Sequence, residues 1–330
     1  MKPFVNVPIG GVIQRKPSVQ CARTYRSFIR KWLRPRWSGY LITDFLRPQL
    51  ASEVEEWLSS LWVSPTNPGG LAPKTVRGIW SQLGRIFHRA RKWGYLDRNP
   101  IEMVDLPAGS TKRRTKPRSL TPGRYLALLS LYGPLERAAI AISGWLGTRR
   151  SEAFGLQWHD FDFQARTVRF ERGIVHGRIT PLKNEASRSS VSVPEEVLEA
   201  LIEWRAATPY SATTDWVFAS PATRGLRPYW PGQLLKTHIK PIAAAAGFGN
   251  IGWHTFRHSF SSWGKEALKL EETKELLRHE NLSTTSELYG GLSLEAKRQA
   301  SERLVEYVKQ AAQAESMQMK KLTPVSKSLQ

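Results

Sequence analysis

Residues 147–158 read Gly147-Thr-Arg-Arg-Ser-Glu-Ala-Phe-Gly-Leu-Gln-Trp158, and further along the chain comes His254-Thr-Phe-Arg-His258. The first stretch is a polar turn between an apolar helical pattern that ends at Leu146 and a second apolar run, Ala153-Phe-Gly-Leu156. An arginine at such a junction is held by packing on both sides, so it can be aimed at a target instead of sweeping through solvent. In the second stretch His254 and Arg257 stand three residues apart, which puts both on one face of a helix. Two basic groups carried by elements distant in sequence, each next to apolar segments, point to a polar site built on a folded core.

Working outward from these stretches, the residues between them alternate apolar and polar over 167–171, 173–180 and 189–194, which predicts a small antiparallel sheet. Helical periodicity covers 195–206, 231–246, 254–269, 271–278 and 293–313. Upstream, Ser119-Leu-Thr-Pro122 is a helix-start signal that opens this second unit. Before it, residues 107–118 hold breakers and five basic side chains, among them Lys112, Arg113 and Arg114, and no apolar run, which is the composition of a linker.

The first unit is helical throughout. Tyr25, Phe28, Ile29 and Trp32 recur at three- and four-residue spacing, and amphipathic patterns follow over 53–62 and 73–93. The last of these carries Lys74, Arg77, Arg85, Arg89, Arg91 and Lys92 with no acid between them, which favours a surface that meets a polyanion over an ordinary solvated face. The organisation expected is an arm over 1–21, a helical unit over 22–106, the basic linker over 107–118, a larger unit over 119–313 and a flexible tail over 314–330. The fold class is mainly α with a small antiparallel β-sheet.

Charge narrows the partner. The 330 residues contain 49 Lys and Arg against 28 Asp and Glu, a formal net charge of +21, with an isoelectric point near 10.3. Nucleic acid is the leading partner for such a surface, because each neutralised phosphate releases condensed counterions; a merely soluble basic protein, or one that sits on anionic lipid, is the alternative. No apolar run is long enough to span a bilayer and the N-terminus lacks an apolar signal core, so the expected location is the cytoplasm. A single cysteine, Cys21, excludes an internal disulfide and any zinc site made of several thiolates.

Within the second unit five stations carry polar groups in apolar settings: Arg149 with Glu152 in the 147–152 turn, Lys183 in a turn between expected strands, His254-Thr-Phe-Arg257, His279 after Leu276-Leu277, and Tyr289. In this order, and with Leu276-Leu-Arg-His279 followed by Thr284-Thr-Ser-Glu-Leu-Tyr289, they resemble the tyrosine recombinase (phage integrase) family. The resemblance spans roughly residues 22–313. It implies a helical core-binding domain that holds DNA, an α+β catalytic domain, and a clamp of the two around the duplex. It further implies a catalytic set of Arg149, Lys183, His254, Arg257, His279 and Tyr289, with Glu152 in support. Because the family pattern puts the arginine three residues before the glutamate, Arg149 and not Arg150 is the catalytic one. His258 points away from Arg257 and is read as structural.

The residue types suit the chemistry that the resemblance implies. A phosphodiester gathers negative charge on its nonbridging oxygens as a nucleophile attacks, so fixed cations favour the transition state over the ground state. Arginine grips an oxygen pair with a planar fork, which lysine does not. Tyr289 is the implied nucleophile, Lys183 the implied donor of a proton to the departing 5′-oxygen, and a 3′-phosphotyrosyl bond the implied intermediate, formed without ATP or metal. Double-stranded DNA, a homotetramer assembled on it and accessory DNA-bending proteins are the implied partners, and integration or excision of a phage or other mobile element the implied role. A topoisomerase-like nicking and closing enzyme and a non-catalytic DNA-binding regulator are the rival readings. The spacing from His279 to Tyr289 is one residue longer than in many members, which puts the extra residue in the loop over 280–286. The helix over 293–313 can dock on its own unit or on a neighbouring subunit.

Overall fold

In a computed structural model of the chain, residues 19–63, 68–106, 118–181, 190–278 and 292–322 are described. The chain divides into two compact units, Met1–Lys116 and Pro117–Gln330. In the first unit α1 (Val19–Phe28) runs through a π-helical turn, Ile29–Leu33, into α2 (Arg34–Trp37), and is followed by α3 (Pro48–Ser60) and α4 (Pro73–Lys92). Prolines 48 and 73 sit at the helix starts, where a missing N–H costs nothing. The core closes on Trp37, which meets Tyr40, Phe45 and Trp57 edge-on, each with ring centroids 5.4 Å apart.

Helix α4 buries Val76, Ile79, Leu83, Phe87 and Ala90 along one stripe. At a helical turn of about 100° per residue, Lys74, Arg77, Arg85 and Lys92 fall on the opposite stripe, and all four are exposed. Gly78 lets α1 approach α4, because a Cβ there would lie 2.9 Å from the Phe28 ring.

The second unit is built around α6 (Pro134–Trp145), which is buried from Ala138 to Trp145 and packs against α8 (Glu195–Ala207) and α11 (Trp253–Ala267). Before it stands α5 (Pro122–Leu129); after it come the four-residue α7 (Arg150–Ala153) and the strands β1 (Phe161–Asp162), β2 (Thr167–Arg169), β3 (Arg172–Val175), β4 (Arg178–Pro181) and β5 (Ser190–Ser192). The strands form two antiparallel sheets, one in the order β1-β2-β5 and one of β3 with β4. The expected single strand over 173–180 is therefore a hairpin. Val175 pairs with Arg178, leaving His176 and Gly177 as a two-residue loop, and both have positive φ, 52° and 71°, the backbone of a type I′ turn.

The expected helix over 231–246 is also interrupted. It comprises α9 (Pro231–Leu234), a π-helical turn (Leu235–Ile239) and α10 (Lys240–Ala245). The Lys240 N–H reaches back to the Leu235 carbonyl just before Pro241, as the Arg34 N–H reaches back to Ile29 just before Pro35. In both places a proline, which lacks an N–H and crowds the preceding turn, follows a widened hydrogen-bond ladder.

Among the described residues α11 is followed by α12 (Leu270–Leu276) and α13 (Leu294–Leu322). Helix α13 runs past the expected end at Gln313. It packs on its own unit, against α5, β5, α11 and α12, and buries Ala300, Leu304 and Val308. Ion pairs Lys297–Glu275 (3.5 Å), Arg303–Glu272 and Lys309–Glu196 lie along it, and Glu315 accepts a hydrogen bond from the Thr121 hydroxyl, 2.8 Å away, at the start of α5. No helix among the described residues is long and apolar enough to cross a membrane.

Gly144 on α6 faces the ring of Tyr125, which itself stacks edge-on against Trp145 and Trp263. Alanine ordinarily favours a helix over glycine by up to ~1 kcal/mol. Here its Cβ would enter the Tyr125 ring, so Gly144→Ala should instead destabilise the second unit by about 1–3 kcal/mol. Urea unfolding followed by tryptophan fluorescence checks the sign.

Candidate active site

The turn that leaves α6 places the first arginine. Gly147 adopts φ +54°, and a Cβ there would lie 2.8 Å from the Leu277 side chain and 3.0 Å from the Phe260 ring, so glycine suits both the backbone and the space. Thr148 is buried and its hydroxyl donates to the Ile142 carbonyl at 3.3 Å, closing the turn on α6. Arg149 is then the extended residue that caps α7.

Glu152 binds Arg149 at two points. Its Oε2 accepts from the Arg149 backbone N–H at 2.9 Å and its Oε1 from the Arg149 Nη1 at 2.7 Å. The carboxylate is buried, while the Arg149 side chain is 36% exposed, so the arginine is anchored yet still reaches solvent. Arg150 is exposed at the first position of α7.

The second arginine comes from α11. Arg257 is 7% exposed and its two Nη atoms donate to backbone carbonyls from separate segments: Nη1 to Gly147, and Nη2 to Leu277 at 2.7 Å. The turn after α6 and the end of α12 are thereby joined through one guanidinium. His254, a turn earlier on α11, is exposed, and its ring centroid lies 6.1 Å from that of His258. His258, expected on a different face from Arg257, thus stands beside His254.

A third arginine, Arg278, carries no signal in the sequence. It follows the last turn of α12 with φ +52°, a conformation in which glycine is the usual residue, and its side chain is fully buried. Its Nη2 donates to Glu152 Oε2 at 3.1 Å, its Nη1 to the Leu276 carbonyl at 3.2 Å, and its guanidinium lies 4.3 Å above the Phe170 ring. Its own carbonyl accepts from Arg149 Nη2 at 3.2 Å. An arginine next to Leu276-Leu277 reads as a solvated cation at a helix end, and only the packing of Phe170 and Glu152 around it reveals a buried one.

Electrostatics follow from this crowding. Burial by itself pushes the Glu152 carboxyl up, but the charge of Arg278, the hydrogen bonds from the Arg149 side chain and backbone, and the charge of Arg149 together hold it below the usual carboxylate value. Burial, and then repulsion from Arg149 and Arg278, push Arg257 down to about 9 against the opposing pull of Glu152. It stays charged at neutral pH. The arrangement is a nest of cations in which Arg257 is held by two neutral backbone carbonyls and Arg149 by one carbonyl and the Glu152 carboxylate, so that positive charge predominates.

The structure brings together Arg149, Glu152 and Arg257, with His254 on the same helix as Arg257. Lys183, His279 and Tyr289 lie outside the described residues, as do Lys112, Arg113 and Arg114. On α4, Arg85 lies 4.7 Å over the Tyr25 ring and Arg89 5.0 Å over Trp93, so two of the expected DNA-binding side chains rest against aromatic faces. Among the described residues His159, Asp160 and Glu171 lie close enough to share a cation. Asp160, however, already takes Arg172 on both oxygens at 2.7 and 3.1 Å, which makes it a structural ion pair.

Comparison with known proteins bears on the family and the fold. Residues 134–293 match the phage integrase family. The chain is 24% identical over 266 residues to a XerC-like tyrosine recombinase of Caldanaerobacter subterraneus, covering 71% of this chain and 66% of that protein. It is 25% identical over 279 residues to a tyrosine recombinase of Thermosipho africanus, covering 82% of this chain and 89% of that one. Among solved structures it is similar in fold to the Tn1549 transposon integrase in complex with transposon right end DNA, at a TM-score of 0.59 and 19% identity over 90% of this chain and 96% of that one.

Because the folded-state pKa of Glu152 is depressed, its contribution to stability is present above the ordinary carboxylate range and fades as pH falls through the lowered value. Glu152→Gln should therefore destabilise the second unit at neutral pH by about 3 kcal/mol, since it breaks a buried ion pair. The gap between the variant and the parent should narrow on acidification from about pH 6 to about pH 3. Denaturant midpoints across that range check the direction.

Proposed function

This chain belongs to the tyrosine recombinase (phage integrase) family, and from that premise we propose that it is a site-specific DNA recombinase that cuts and rejoins strands through a phosphotyrosyl link on Tyr289. The observation that carries the reading is the pair Arg149 and Arg257, two guanidinium forks anchored in the protein, Arg257 by two backbone carbonyls and Arg149 by one carbonyl and the Glu152 carboxylate.

In the reaction proposed, the Tyr289 phenol oxygen attacks the scissile phosphorus and the bond to the 5′-oxygen breaks. Lys183 gives the departing 5′-oxygen a proton, and the strand is left with a 3′-phosphotyrosyl bond. Arg149, Arg257, His254 and His279 neutralise the charge that grows on the nonbridging oxygens, where a preorganised donor does the most. Rejoining reverses these steps with a second 5′-hydroxyl as nucleophile, and the ester conserves the bond energy. No nucleotide or metal enters the balance.

Duplex DNA is the proposed partner, held in part by the basic stripe of α4 with Lys74, Arg77, Arg85 and Arg89, and by Lys112, Arg113 and Arg114. Exchange between two duplexes requires four active sites, so the working assembly proposed is a tetramer formed on DNA. The transposon integrase to which this chain is similar supports a role in moving a phage or other mobile element.

Incubation with a nicked suicide duplex carrying the cognate site should give a denaturation-resistant protein–DNA adduct. Tyr289→Phe should give none, and an adduct from that variant would displace Tyr289 as nucleophile. Replacing Lys74, Arg77 and Arg85 together with alanine should weaken DNA binding across sequences. It should also lower the slope of log affinity against log salt by roughly 0.9 for each phosphate that is no longer neutralised, and an unchanged slope would remove α4 from the interface.

A further inference from the structure

We propose that Arg278 is a positioning residue of the phosphate site: it serves as the buried counter-ion of Glu152, so that Arg149 and Arg257 keep their charge for the oxyanion. The inference rests on the proposed strand-transfer site and names a member of it that acts through its neighbours.

The backbone at Arg278 is unfavourable. The residue adopts φ +52° after α12, where glycine would be unstrained and an arginine is not. The side chain is then placed where charged groups are least welcome, with no exposed surface, and its Nε finds no hydrogen-bond partner among the described residues. A strained backbone and a buried charge at one residue call for a compensating interaction. The compensation is electrostatic: Glu152 at 3.1 Å, the Phe170 ring at 4.3 Å and the Leu276 carbonyl at 3.2 Å.

The charged groups facing Arg278 are Glu152, Arg149 and, through their mutual repulsion, Arg257. Three arginines and one glutamate sum to +2 at this locus. Without Arg278 the sum is +1, and the Glu152 carboxylate falls to Arg149 alone. Arg149 would then be drawn further onto Glu152 and would offer less charge to a phosphate. The backbone of Arg278 works in the same direction. Its carbonyl holds Arg149 Nη2 and the preceding carbonyl, Leu277, holds Arg257 Nη2, so one dipeptide aligns both forks. The side chain of Arg278 pins that dipeptide to α7 through Glu152.

The experiment compares the full chain with Arg278→Met, Arg278→Lys, Glu152→Gln and the double variant Arg278→Met/Glu152→Gln. Each is measured for folded fraction, for single-turnover adduct formation on the nicked duplex across pH, and for binding of tungstate as a phosphate mimic. The expected result for Arg278→Met is adduct formation slower by roughly tenfold or more per folded molecule with DNA affinity little changed. The pH midpoint should move alkaline, because less positive charge faces the nucleophile, and tungstate should bind more weakly. Arg278→Lys, which keeps the charge, should retain the parental midpoint. The double variant restores the local sum to +2 and should recover most of the rate and of the tungstate affinity.

A purely structural Arg278 would lower thermal stability and leave the rate per folded molecule, the midpoint and the tungstate affinity unmoved, and that outcome overturns the proposal. Failure of Glu152→Gln to recover the Arg278→Met defect also overturns it. Should Arg278→Met not fold, the comparison moves to the Glu152→Gln background, where the counter-ion role is gone and loss of Arg278 should leave tungstate binding little changed; a marked further weakening there overturns the proposal. If the parent chain forms no adduct, the strand-transfer reading falls by itself, and the tungstate series still decides the role of Arg278.

Discussion

Three guanidinium groups close enough to repel one another stand partly inside a protein, where the dielectric that would screen them is reduced. Glu152 makes that arrangement tolerable. Its carboxylate accepts from the Arg149 backbone, the Arg149 side chain and Arg278, and its charge pulls against the repulsion that lowers Arg257. A buried carboxylate with three donors is itself held ionised, so anion and cations stabilise one another in a way no pair among them does alone.

The fold exists, from the viewpoint of this cluster, to bring three chain segments to one place. The turn after α6 delivers Gly147 and Arg149, α11 delivers Arg257, and the end of α12 delivers the Leu277 and Arg278 carbonyls. Apolar packing does the positioning: α6 is buried along most of its length, and the Gly147 turn sits against Leu277 and Phe260 with no room for a Cβ. Helix α13 adds a clasp from outside, tied by ion pairs to α8 and α12 and by Glu315 to the start of α5.

Much of this is legible in the sequence, for physical reasons that can be named. Arg149 and Arg257 stand in short polar stretches embedded in apolar periodicity, and such contrast survives projection onto one dimension. Helices over 195–206 and 254–269 show for the same reason, and α8 and α11 match them closely. The strand expected over 173–180 fails because alternation continues across a two-residue loop, and only the left-handed backbone at His176 and Gly177 marks the reversal. The π-helical turns before Pro35 and Pro241 are likewise invisible to a 3.6-residue period. Arg278 is hidden most completely, because burial of a cation depends on Phe170 and Glu152, residues far away in the chain that no local pattern connects to it.

How the arginines are held bears on what they can do. A carboxylate partner orients a guanidinium but cancels its charge, whereas a backbone carbonyl orients it and leaves the charge in place. Arg257 has two carbonyl partners, and Arg149 has one carbonyl and one carboxylate. The carboxylate on Arg149 would be a liability at an oxyanion site if it stood alone. With Arg278 on its far side, Glu152 gives Arg149 its geometry while much of its charge is answered elsewhere. The orienting and the neutralising functions of one anion are thus divided between two arginines, only one of which reaches solvent. A cluster so arranged is ordered before any anion arrives, and little of an interaction with one would be spent on moving its own dipoles into place.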